Sequence, residues 1–83
     1  MTQVEFNEKY KDYLEDGFYG LGFDYPEVTE YLDKLFPVII KEYPDFKYQQ
    51  IKLKFGEPVV YTSCTRLTNY LMEIVINAIL KKE

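Results

Sequence analysis

Phe6, Tyr10, Tyr13 and Leu14 recur at helical spacing near the start of the chain. At about 100° per residue they cover a single arc roughly 100° wide. The preceding "TQVE" has the pattern of a capping box, with Thr2 as N-cap and Glu5 three residues on. A first helix is therefore expected from Thr2 to Asp16, with Gly17 as its stop. Val28, Leu32, Leu35, Phe36, Ile39 and Tyr43 define one face of a second helix, opened by Pro26 at its first position and ended by Tyr43-Pro44. Pro37 lies mid-helix on the opposite side, where it should bend the helix around the core. Between these helices, "GFYGLGF" reads as a loop with three glycines and three aromatics. Those aromatics either plug the core or stand exposed as anchors.

The period then changes from helical to alternating. Phe46 and Tyr48 alternate with Lys47 and Gln49, and Ile51, Leu53 and Phe55 with Lys52 and Lys54. The phase slips by one residue at Gln49-Gln50, which implies a bulge or the true strand start. "FGEP" is the turn, with Gly56 as its permissive residue, and Val59 to Thr62 forms the partner strand of a β-hairpin. Ser63 or Thr65 can cap a final helix. The expected fold is one α+β domain over residues 1–83: two N-terminal helices, a β-hairpin and a C-terminal helix, in the order α-α-β-β-α. A lone hairpin is marginal and needs helices across one face.

The final helix contains "LTNYLMEIVINAIL", residues 67–80, in which ten of fourteen side chains are apolar. A bilayer span needs about 20 such residues, so a membrane anchor is excluded. Leu67, Leu71, Ile74 and Ala78 share a face that reads as the core contact. Met72, Ile76 and Ile79 lie on an adjoining flank, with Val75 between. The apolar surface is wider than one contact requires. The helix is accordingly central to the core, or it buries its extra flank in a homodimer, or it presents that flank to another protein.

Composition narrows the chemistry. Nine Tyr and six Phe among 83 residues provide enough hydrophobic mass for a folded domain. The net charge of −4 argues against bulk attraction to nucleic acid or anionic lipid. One cysteine and a polar N-terminus without a secretory leader pattern make a cytoplasmic protein the expectation. With no histidine and one cysteine there is no Cys/His or Ser/His dyad and no Cys- or His-based metal site. No phosphate-binding glycine loop stands in the right context. No enzyme activity, metal or cofactor is expected. Cys64, close to the start of the last helix and to Arg66, is either a packed junction residue or an activated thiol.

Two charged surfaces remain. On the first helix Glu5, Glu8, Asp12, Glu15 and Asp16 fall in one arc opposite the apolar stripe. Such a stripe is either a solvated face or a docking site for a basic patch. Lys47, Lys52 and Lys54 share the outward face of the first hairpin strand, with Tyr61 or Arg66 near. That face either binds single-stranded nucleic acid or keeps an edge strand soluble.

In "QIKLKFGEPVVYTS", residues 50–63, the positions Ile51, Lys52, Lys54, Phe55, Gly56 and Tyr61 resemble a strand-turn motif of small uncharacterised bacterial and phage proteins. "GFDYPEVTEYLDKLF" precedes it in the same order. Glu57-Pro58-Val59-Val60 departs from the Leu-Arg-Phe type of run in that family. The resemblance implies a helix–hairpin–helix layout and a bacterial or phage setting, with no catalytic residue to transfer. The resulting expectation is a small non-enzymatic protein-binding domain, a phage-type inhibitor or modulator occluding a larger host protein. Its contacts would come from Glu5, Glu8, Asp12, Glu15 and Asp16, or from Met72, Ile76 and Ile79. Self-association through the C-terminal helix is one alternative, and nucleic-acid binding by the lysine face is the other.

Overall fold

The computed structural model describes residues 1–82. Helix α1 is Gln3–Lys9, followed by a single 3₁₀ turn at Lys11–Tyr13. Strand β1 is Gly20–Leu21, helix α2 is Pro26–Glu42, strand β2 is Tyr48–Lys54, strand β3 is Glu57–Thr62 and helix α3 is Arg66–Leu80. The α+β class is as expected, but the order is α-β-α-β-β-α. The loop before α2 supplies a third strand, and the sheet runs β1-β2-β3, with β1 parallel and β3 antiparallel to the central β2.

The capping box at Thr2 forms in both directions. Thr2 Oγ1 accepts from the Glu5 amide at 3.1 Å, and the Thr2 amide donates to the Glu5 carboxylate at 2.8 Å. The helix nevertheless stops at Lys9, well short of Asp16. Its apolar stripe explains why. Phe6 and Tyr10 are buried, but Leu14 bridges to Tyr48, and the Glu15 amide donates to the Tyr48 carbonyl at 3.0 Å. The central strand's edge captures backbone that helix propensity alone would have kept.

Helix α2 keeps its expected bounds and passes through the exposed Pro37. Val28, Leu32, Phe36 and Ile39 are buried along it, whereas Tyr43 at its end is exposed. Phe36 is the hub of an aromatic core, with ring centroids at 5.2 Å from Phe6, 5.1 Å from Tyr10, 5.0 Å from Phe46 and 5.1 Å from Tyr48. All four are edge-on contacts, the arrangement ring quadrupoles favour. Leu21, Ile51, Val60, Met72 and Ile76 complete the core on one side of the sheet.

The phase slip in β2 is a bulge, between Tyr48 and Gln50 opposite Thr62 and Tyr61. It lets Tyr48 and Ile51 both face inward although they are three positions apart. Phe55 and Gly56, with φ of 53° and 79°, form the two-residue turn between the paired Lys54 and Glu57. Both central residues lie in the left-handed region, as a type I′ hairpin requires.

Side chains close both edges of the sheet. At β1, the Asn7 carboxamide acts as a neighbouring strand would: the Leu21 amide donates to Asn7 Oδ1 at 2.9 Å, and Asn7 Nδ2 donates to the Leu21 carbonyl at 3.0 Å. Gln3 Nε2 donates to the same carbonyl at 2.9 Å. At β3, the alternation of an antiparallel ladder turns the backbone nitrogens of Pro58 and Val60 away from β2. Pro58 has no N–H to leave unpaired, and the Val60 amide donates to the Glu73 carboxylate of α3 at 2.9 Å.

Candidate functional site

Helix α3 has the most distinctive surface. Thr65 caps it, its Oγ1 accepting from the Thr68 amide at 3.2 Å. Two of its polar residues dock on β3. Glu73 holds the Val60 amide, and Asn69 Oδ1 accepts from the Thr62 hydroxyl. Satisfying the β3 edge therefore fixes how the helix is rotated. Met72 and Ile76 lie between those two polar contacts and α2, with only 2% and 0% of their surface exposed.

That rotation reverses the expected faces. Met72 and Ile76, read as partner-facing, are core residues, and Ile79 packs half-buried against the core. Leu67, Leu71, Ile74 and Ala78, read as the core contact, face solvent. The exposed arc consists of Leu67, Tyr70, Leu71, Ile74, Val75 and Ala78 and contains no charged residue. Its five large members are 66%, 58%, 52%, 47% and 38% exposed in sequence order. Together they present on the order of 500 Å² of contiguous side-chain surface, at the upper end for a monomer's largest patch.

One flank of this face is built. Glu57 and Pro58 of the hairpin meet Tyr70, Glu73, Ile74 and Asn77 of α3 around a cleft of about 310 Å³. Asn77 Oδ1 is the one buried side-chain polar atom without a hydrogen-bond partner among the described residues. Glu57 lies at the surface, 3.7 Å from the Lys81 ammonium, and opposite Lys54 in the hairpin. At the other end of α3, Arg66 has no ion-pair or hydrogen-bond partner among the described residues.

The acidic residues do not form one helical stripe, because α1 ends before Asp12, Glu15 and Asp16. Glu5 is held by the capping box, and its carboxyl lies below the usual range because it accepts from the Thr2 amide and hydroxyl. Glu8 pairs with Lys11 at 3.0 Å, and Glu15 accepts from Gln49 Nε2 at 3.0 Å. Asp12 offers its carbonyl to the Lys47 ammonium at 2.7 Å, and Asp16 is exposed. Asp33, which sequence reasoning did not single out, receives both Lys9 at 2.8 Å and the Tyr10 hydroxyl at 2.6 Å. Those two donors, Lys9 foremost, lower its carboxyl's pKa.

On the open side of the sheet, Lys52 stands opposite Val59, and Gln50 opposite Tyr61. Lys47, tied to Asp12, and Lys54, opposite Glu57, complete the lysine group. Each thus has a compensating oxygen or an apolar neighbour, and Tyr61 supplies a partly exposed ring there. A second cleft, of about 480 Å³, lies between the end of α2 and the start of α3 and is lined by Tyr43, Pro44, Phe46, Cys64 and Thr68 among others. Cys64 is half-buried beside it, its amide donating to Thr62 Oγ1 at 3.0 Å. Of the loop aromatics, Phe23 packs against the core, while Phe18 and Tyr19 are exposed.

Among the described residues no group of His, Cys, Asp or Glu gathers as a metal site, and no helix is long and apolar enough to cross a membrane. Comparison with known proteins finds no matching family model, curated protein or solved structure.

Proposed function

We propose that this chain is a small non-enzymatic protein-binding domain whose docking face is the exposed arc of α3. The observation that carries the reading is the uncharged apolar run of Leu67, Tyr70, Leu71, Ile74, Val75 and Ala78 on a helix whose other side already fills the core. Burying such a face against protein gains roughly 25 cal/mol for each Å² of apolar surface removed from water. Tyr70 adds an aromatic anchor of the kind that dominates interfaces. The fragmented acidic residues of the N-terminal segment favour a solvated surface there, each acid being matched locally or left in water.

The test compares the wild type with Leu71→Lys/Ile74→Lys. Both positions are exposed, so the variant should melt within a few degrees of the wild type. The wild type should form a complex, with itself or with a protein from lysate, that sediments faster than the free chain, and the variant should form none. Absence of any complex from the wild type, or a complex indifferent to the two lysines, would remove the proposal.

A further inference from the structure

We infer that the occupant of this face is a second copy of the chain, seated antiparallel across a two-fold axis through the middle of α3; the inference rests on the docking reading above. Three independent features of α3 converge on it.

The first is the pattern of the face. Its members are arranged symmetrically about the midpoint of the arc. An antiparallel mate sets Leu67 against Ala78 and Leu71 against Ile74 of the second copy along the seam, with Tyr70 on one flank and Val75 on the other. Each pairing joins a larger side chain to a smaller or branched one, so the ridges of one helix have space on the other. No charge would be stranded, because the arc contains none.

The second is electrostatic. Arg66 begins α3 at its N-terminus, where the helix dipole disfavours a cation, and it has no partner among the described residues. Arg66 and Asn77 are about three full turns apart, so they lie on the same flank of the helix. A two-fold axis perpendicular to the helix pair keeps that flank on the same side in both copies. It brings Arg66 of one copy to the C-terminal end of the other copy's α3, where the dipole favours a cation. The cleft of Glu57, Glu73 and Asn77 opens there.

The third is the carboxylate at the rim of that cleft. A guanidinium entering it donates to Glu57, which the chain itself holds only by a 3.7 Å contact with the Lys81 ammonium. A parallel pairing would instead leave each Arg66 level with the other copy's helix N-terminus, on the opposite edge, and both clefts empty. Two faces of the size described bury on the order of 1,000 Å² in total, at the low end for a specific interface. The dimer should accordingly dissociate on the order of micromolar concentration.

Analytical ultracentrifugation of the purified chain tests this over a concentration series. The expected result is a reversible shift from the 10.0 kDa chain to twice that mass. Leu71→Lys/Ile74→Lys should stay monomeric throughout. Arg66→Glu should weaken the dimer by about tenfold or more, while keeping the fold, since an acid suits a helix N-terminus. Adding Glu57→Lys to Arg66→Glu should recover most of that loss. A purified wild type that remains 10.0 kDa at several hundred micromolar overturns the inference. If the same sample still forms a face-dependent complex with another protein, the docking face survives without the dimer. A dimer insensitive to Arg66→Glu overturns the antiparallel arrangement.

Discussion

Replacing Asn7 with alanine removes the side chain that holds the β1 edge and one of the core tyrosines together. Asn7 Oδ1 accepts from the Leu21 amide at 2.9 Å and from the Tyr48 hydroxyl at 3.0 Å, and its Nδ2 donates to the Leu21 carbonyl. Leu21 and Tyr48 are both fully buried. In Asn7→Ala the carbonyl keeps Gln3 as a donor, but the amide and the hydroxyl lose their acceptor. Each buried donor left without a partner costs about 1–3 kcal/mol, so the expected loss is about 2–5 kcal/mol. A domain of this length has about 4–12 kcal/mol in total. The substitution therefore removes a large fraction of the stability without touching the apolar core. Urea unfolding followed by circular dichroism should show a midpoint lower by about 2 M or more, taking a slope of about 1 kcal/mol/M. Tyr48→Phe made on top of Asn7→Ala removes one of the orphaned donors. The double variant should thus be less damaged than the sum of the singles, with a coupling of about 1 kcal/mol. If Asn7→Ala unfolds within about 0.5 kcal/mol of the wild type, the account of the β1 edge is wrong.

Gly20→Ala should damage the same corner from the other side. Gly20 has φ of +76°, and a Cβ there would come 2.5 Å from Asn7 Oδ1, so a loss of at least about 2 kcal/mol is expected in the same urea assay, and none would contradict the geometry. Phe55→Asn should stabilise the protein by about 1 kcal/mol, because Phe55 is 96% exposed with φ of +53° and asparagine tolerates that conformation better. A lower melting temperature would mean that the ring has a contact worth more than the strain. Alkaline pH should unfold the protein in a defined window. Burial pushes the Tyr48 hydroxyl up to about 12, and burial together with the Asp33 carboxylate raises that of Tyr10. In the unfolded chain both ionise near pH 10, so that state loses protons first. The stability they contribute is intact below about pH 10 and falls by about 1.4 kcal/mol per pH unit for each tyrosine up to about pH 12. Tyrosinate absorbance and circular dichroism should change together there. Nine tyrosines titrating as one group near pH 10, with the fold intact, would refute it.

Elements whose own residues determined them were readable in the chain. Val28 to Ile39 repeat at a helical period over enough turns to fix α2. The slip between Tyr48 and Ile51 exposed the bulge because one inward-facing residue comes a position late. Thr65 capped where its hydroxyl could reach Thr68. Other features depended on partners distant in sequence. Gly20-Leu21 is too short to carry a period, and becomes a strand only because β2 and Asn7 supply hydrogen bonds on its two sides. Helix α1 ends where Leu14 and Glu15 meet β2, a contact with no trace in the local spacing. The rotation of α3 was misread because both of its faces are apolar. The polar residues Asn69 and Glu73 are the ones that dock on β3. The exposed apolar face was thus present in the sequence as an excess of apolar residues, but its position on the helix was set by two hydrogen bonds to the sheet.

The carboxamide and carboxylate that seal the sheet have a consequence for how the protein fails. Each seal is carried by a helix: Asn7 by the seven residues of α1, Glu73 by α3. A fraying of α1 would uncover the backbone of β1 while the rest of the molecule stayed native. In a chain this rich in aromatic residues, such a species is a template for strand-by-strand accretion. The rate at which the protein forms fibrils should then follow the opening of its shortest helix, well before global unfolding, and shelf life would be governed by α1.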